Sequence, residues 1–167
     1  MRAKKTVKKR RLRNKTDYLA RLKLLKSERP RIVFRRTNKA IIAQVVESHE
    51  AQDKILFGIT SKALLKYGWP ENFKNSLKSI PASYLTGVLI AKKIQEKKID
   101  TPVIDFGMYR TIHKTKLFAF LKGVIDGGIK ISCPEKAFPE EERIQGQNLK
   151  QDFTKYFEQV KSKIIEK

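Results

Sequence analysis

The sequence predicts an α/β (α+β) fold: a mixed sheet that begins as an antiparallel meander and continues through a helix, a strand and a second helix. Three observations predict it. First, the runs Ile32 to Arg36, Ala40 to Glu47 and Lys54 to Thr60 are rich in β-branched and aromatic residues, and only the polar linkers "RTNK" and "SHEAQD" separate them, the signature of hairpin-joined strands. Second, two later segments carry apolar residues at helical intervals. Third, "TPVIDFG" between them reads as one short apolar strand. This order implies helices layered on a mixed sheet, with a right-handed crossover for any parallel pair. At 167 residues and 40% hydrophobic content, the chain supports one core with polar extensions.

The elements follow in order. "MRAKKTVKKRRLRNK", residues 1–15, has almost no apolar residues and is expected to be a basic arm, disordered until bound. In "TDYLARLKLLKS", Thr16 can cap a helix whose Tyr18 or Leu19, Leu22 and Leu25 pack while Arg21, Lys23 and Lys26 stay free; Pro30 then ends it. Strand alternation places Ile32 and Phe34 on a core face, with Arg31, Val33 and Arg35 on a wet one. "SKALLKYG" reads as a short helix capped by Gly68, and "WPENF" as a loop.

"IPASYLTGVLIAKKIQEKKI" gives the strongest helix signal, with Leu85, Val88, Leu89 and Ala91 as its stripe and Pro81 in the first turn. "KTKLFAFLKGVIDGG" is a second helix, with Leu117, Leu121, Val124 and Ile125 on one face and Gly127 or Gly128 as its stop. The tail repeats Leu149, Phe153, Tyr156 or Phe157, Val160 and Ile164 every three or four residues, which predicts an amphipathic helix over 147–167. It can close on its own domain, dock on a partner protein or lie against RNA. The expected division is therefore an arm at 1–15, a globular body at 16–146 and this helix.

Charge points to the partner class. The net charge of +21 is extreme, and residues 1–39 hold 17 lysines and arginines against two acids, a surplus of 15. So basic an arm neutralises phosphates and releases their counterions, which implies nucleic acid. A nuclear-targeting or merely solubilising run is the alternative. No apolar run approaches the roughly 20 residues that span a bilayer, and residues 1–15 lack the apolar stretch of a signal peptide. Neither a membrane partner nor export is expected. Cys133 is the single cysteine, which excludes an internal disulfide, and no metal-ligand spacing is present.

Catalytic chemistry finds little support. A metal-dependent nuclease needs converging carboxylates, but Asp53 reads as a turn residue, Asp100 precedes a strand, Asp126 ends a helix, and only Asp105 ends a strand. "GVIDGG" lacks the Lys-Ser/Thr of a phosphate loop. No catalytic residue, metal, cofactor or small-molecule substrate is expected. The loop "GMYRTIHKTK" instead supplies Tyr109 for stacking on a base and Arg110, Lys114 and Lys116 for phosphates.

"NKTDYLARLKLLKSERPRIVFRRTNKAIIAQVV", "YGW", "PASYLTGVLIAKK", "VIDFG" and "KLFAFLKGVIDGGIKISCPE", from about Lys5 to Gly146, resemble the archaeal and eukaryotic type of the large-subunit ribosomal protein family numbered eighteen, whose eukaryotic counterpart is numbered five. The resemblance implies a cytoplasmic ribosomal protein that binds 5S ribosomal RNA and fixes it, with large-subunit ribosomal RNA and neighbouring large-subunit proteins, in the central protuberance. It also implies a three-layer, ribonuclease-H-like fold without nuclease activity. The family's basic arm matches Lys8, Lys9, Arg10, Arg11 and Arg13, and its basic helix matches Tyr18 and Arg21. Its strand junction matches Arg35, Arg36, Asn38 and Lys39, followed by Gln44. The segment "MYRTIHKTK" is more basic and less proline-rich than the family pattern. A general nucleic-acid-binding or ribosome-assembly factor is the alternative reading.

Overall fold

β1 (Arg31–Arg36) lies between two unlike neighbours in a four-stranded sheet of order β3-β2-β1-β4. It pairs antiparallel with β2 (Ile41–His49), which pairs antiparallel with β3 (Gln52–Thr60), and parallel with β4 (Val103–Asp105). The computed structural model describes residues 6–50, 52–149 and 153–166. The predicted meander and the short fourth strand are both present, and a register shift between Val45 and Val46 marks a β-bulge in the β2/β3 ladder.

One face of the sheet carries Ile32, Phe34, Ile41, Ala43 and Val45, all essentially buried. On this face lie α3 (Ile80–Glu96) and α4 (Lys116–Asp126), and the Phe34 and Phe120 rings meet at 4.9 Å. Ser79 caps α3 by accepting from the Ala82 amide, and Pro81 occupies the first turn. An amphipathic stripe was expected here; instead every residue from Pro81 to Ala91 is buried. The buried Ser83 and Thr86 hydroxyls donate to carbonyls one turn back, so the helix can be enclosed without orphaned polar groups. Close approach to α4 depends on glycine. A Cβ at Gly87 would strike the Phe120 carbonyl, and one at Gly123 the Tyr84 carbonyl.

The tail packs against α3. In α6 (Thr154–Glu166), Phe157, Val160 and Ile164 are buried; the preceding Phe153 packs against Trp69 and Phe73, and Phe157 against Tyr84. Lys92 Nζ donates to the carbonyls of Ile164 and Ile165 at the end of α6, a cation placed where the helix dipole favours it. The predicted tail helix runs across 150–152 and 167, which lie outside the described residues, and α6 itself begins at Thr154. The short α5 (Glu141–Gln145) precedes it.

Several local expectations are corrected. The described part of the arm is not featureless: α1 (Lys9–Leu12) forms one helical turn, and Arg10 Nε donates to Thr16 Oγ1. Thr16 is thereby occupied, and Asp17 caps α2 (Tyr18–Lys26), accepting from the Leu19 and Ala20 amides. Nor do the leucines of α2 form a packed stripe, since Leu19 and Leu22 are 65% and 50% exposed. "SKALLKY" is a 3-10 helix closed by left-handed Gly68, and Glu71–Ser76 in the predicted loop forms another.

Candidate nucleic-acid interface

The pleat of β1 sorts its three arginines. Arg31 and Arg35 leave the face away from α3 and α4, whereas Arg36 leaves at the end of the core face. The face of Arg31 and Arg35 was expected to be wet, yet Arg31 is 2% exposed. Its guanidinium donates to Asp105 at 3.2 Å, to Asp53 at 2.7 Å and to Ser48 at 2.8 Å. Arg21 of α2 closes on the same Asp53 through both terminal nitrogens, at 3.0 and 3.1 Å. Asp53 is therefore a junction of charges and not only a turn residue. Burial pushes its carboxyl upward, but the Ser48 and Arg21 hydrogen bonds and the Arg31 and Arg21 charges outweigh burial and hold it below its ordinary value.

Arg35 completes this chain of alternating charges. It donates to the Phe34 and Asp105 carbonyls at 2.7 and 3.1 Å, reaches the Asp105 carboxylate at 3.5 Å, and lies over Gly107, whose φ is +63°. Asp105 also accepts from the Gly107 amide. The carboxylate best placed for metal chemistry is thus bound to two guanidiniums and an amide. No group of three or more potential metal ligands occurs among the described residues, and no helix there is long and apolar enough to cross a membrane.

Arg36 belongs to a different site. It lines a cavity of about 410 Å³ with Phe34, Tyr109, Arg110, Lys114 and Lys116. The Tyr109 hydroxyl accepts from the Arg36 amide at 3.0 Å and donates to the Arg36 carbonyl at 2.8 Å, tying the loop to the end of β1. Lys114 is already neutralised, 2.7 Å from Glu140, and that contact holds the Glu140 carboxyl below its usual range. Lys116 has no such partner among the described residues. Burial first, then the charges of Arg36 and Lys78, lower its ammonium below the ordinary lysine value. Lys78 and Arg143, another residue of this cavity lining, carried no sequence signal because they lie far from the loop in sequence.

The remaining candidates sit apart. Thr37 accepts from the Ala40 amide and donates to its carbonyl, shaping a turn that leaves Asn38 and Lys39 exposed. Gln44 lies across from Gly58 within the sheet and is only partly exposed. Lys8 stands 4.3 Å over the Tyr18 ring, covering one of the faces a base would need. Lys9, Arg11 and Arg13 are exposed, and Arg10 lines a second groove of about 420 Å³ with Lys15, Arg21, Lys23 and Arg35. The structure therefore brings Arg36, Tyr109, Arg110, Lys114 and Lys116 together in one basic cleft and Arg10, Arg21 and Arg35 in another on the opposite side of β1, while Lys8, Lys9, Arg11, Arg13, Tyr18, Asn38, Lys39 and Gln44 line neither.

The family model for ribosomal large subunit proteins 60S L5 and 50S L18 matches residues 2–102. The large ribosomal subunit protein uL18 of Korarchaeum cryptofilum is 41% identical over 140 residues, covering 84% of this chain and 70% of that protein. The uL18 protein of Methanoregula boonei is 39% identical over 140 residues, covering 84% and 78% respectively. The chain belongs to the family of ribosomal large-subunit proteins that includes 60S L5 and 50S L18, structural and non-enzymatic constituents of the ribosome.

Proposed function

We propose that the protein binds 5S ribosomal RNA and attaches it to large-subunit ribosomal RNA and neighbouring large-subunit proteins in the central protuberance of the cytoplasmic ribosome. One observation carries the RNA-binding part. Among the described residues, which include 33 lysines and arginines, ion pairs engage only Arg21, Arg31, Arg35, Lys114 and Lys122. The fold neutralises a small part of its own excess and leaves the rest for a polyanion. The choice of 5S RNA rests on the family resemblance.

In this reading Lys8, Lys9, Arg10, Arg11 and Arg13 track the backbone from the arm, while Arg36, Lys39, Arg110 and Lys116 do so from the body. Asn38 and Gln44 supply hydrogen bonds to bases or sugars. Arg21, Arg35 and Lys114 act first in their internal pairs and only secondarily on RNA. Nucleotide-resolution protection of 5S RNA by the purified protein at moderate salt tests the proposal. A footprint confined to one region of 5S RNA, with weaker binding to other structured RNA of similar length, is the expected result. Equal affinity for all of them would favour a general nucleic-acid-binding role instead.

A further inference from the structure

The cavity at the end of β1 is unlike an ordinary phosphate-tracking surface, because cations rim an apolar interior. Phe34, Ile80 and Leu117 form its floor. Tyr109 forms a wall that is fixed before any ligand arrives: its hydroxyl is held by both backbone groups of Arg36, and its ring packs edge-on against Phe34 at 6.2 Å. Ile112 stands at the mouth with 59% of its surface exposed. A volume of about 410 Å³ lies within the roughly 300–1,000 Å³ of small-molecule clefts.

The rim is built for anions. Arg36 and Lys116 line it, the exposed Lys78 outside the lining adds its charge on Lys116, and no acid among the described residues pairs with any of the three. Thr115, at the start of α4, donates to the Ile112 carbonyl and does not cap the helix, so the first-turn amides beside Lys116 are left for other acceptors. A paired RNA helix would satisfy the cations and leave the apolar floor empty, because its outer surface offers phosphates and ribose. An unpaired nucleotide carries an aromatic face and flanking phosphates in one unit, and so matches both parts of the site.

We propose that this cavity is a slot for a single nucleobase turned out of an RNA stack, held between Tyr109 and Ile112, with the adjoining phosphates on Arg36, Arg110 and Lys116. The inference rests on the RNA-binding reading above and adds the form in which the RNA is recognised.

The test uses the full chain, transcribed 5S RNA and an unrelated structured RNA. Short-wave ultraviolet crosslinking of the 5S complex should place a nucleotide on Tyr109 or its immediate neighbours. Ile112→Ser, an exposed and uncharged change, should weaken binding about tenfold without altering the salt slope or the melting curve. Unchanged affinity in Ile112→Ser would overturn the slot. So would tight 5S binding with no crosslink in this loop, which would assign the cavity to a side chain from a neighbouring protein. If both RNAs bind equally and both show the crosslink and the tenfold loss, the slot stands and the 5S assignment falls.

Discussion

Arg31 and Asp105 form an ion pair inside the sheet, 3.2 Å apart on the parallel β1/β4 pair, with side chains only 3% and 9% exposed. Because Arg31 also holds Asp53 and Ser48, one guanidinium ties β4 to the β2/β3 hairpin. Removing Asp105 takes a carboxylate from the buried Arg31 guanidinium and from Arg35, and leaves Arg31 with the partly exposed Asp53 as its acid. Asp105→Ala should therefore destabilise the protein by about 3 kcal/mol, read as a lower denaturant midpoint in urea unfolding. A midpoint equal to that of the parent chain would show that water compensates the charge.

Acid should expose the same network. Asp53 has its folded-state pKa below the ordinary 3.8, so its contribution is complete above that value and is lost as pH falls through the lowered one. Below pH 4, Asp53→Asn should lose less stability per pH unit than the parent chain. Parallel acid limbs would remove Asp53 from the account.

The two adjacent arginines at the end of β1 should behave oppositely. Arg35→Ala removes bonds to two carbonyls and to Asp105, and about 2 kcal/mol of stability should go with them. Arg36→Gln should leave the melting temperature nearly unchanged, weaken RNA binding and reduce the slope of log affinity against log salt by about one. Exchanged phenotypes would mean that the faces of β1 are assigned the wrong way round.

Deleting residues 1–15 removes nine lysines and arginines. Affinity for RNA should drop and its salt dependence flatten, while the circular dichroism of the folded body persists. An unaltered salt slope would locate the phosphate contacts entirely on the body.

The crossing of α3 and α4 makes a separate prediction. Gly123→Ala brings a methyl group against the Tyr84 carbonyl, and overpacking of this kind costs about 2 kcal/mol or more. Thermal unfolding should show it as a lower midpoint, without any change in the RNA salt slope of the folded fraction.

Periodicity made the meander, the fourth strand and the helices visible, because Ile32, Phe34, Ala43 and Val45 alternate and Leu85, Val88 and Leu89 recur at helical spacing. It failed where charge was the signal. Arg31 and Arg35 read as solvent-facing because arginine is usually exposed, and their acids stand 22 and 70 or more residues away. A partner at that distance leaves no local pattern. Similarly, the loop cations Arg110, Lys114 and Lys116 were legible as a basic run, but only the fold distinguishes the neutralised Lys114 from the unneutralised Lys116. The three-residue spacing of Leu19 and Leu22 was real and still not a core, since their face of α2 meets solvent.

The alternation of β1 also means that strand register acts as a checkpoint for assembly. A slip by one residue against β2 would turn Arg35 into the cavity and Arg36 toward Asp105, leaving composition and net charge unchanged while reversing which arginine RNA can reach. Total basicity, the most conspicuous property of this chain, is thus a poor measure of its binding competence. A misregistered molecule would be just as cationic as the native one and would still present the wrong charge to its RNA.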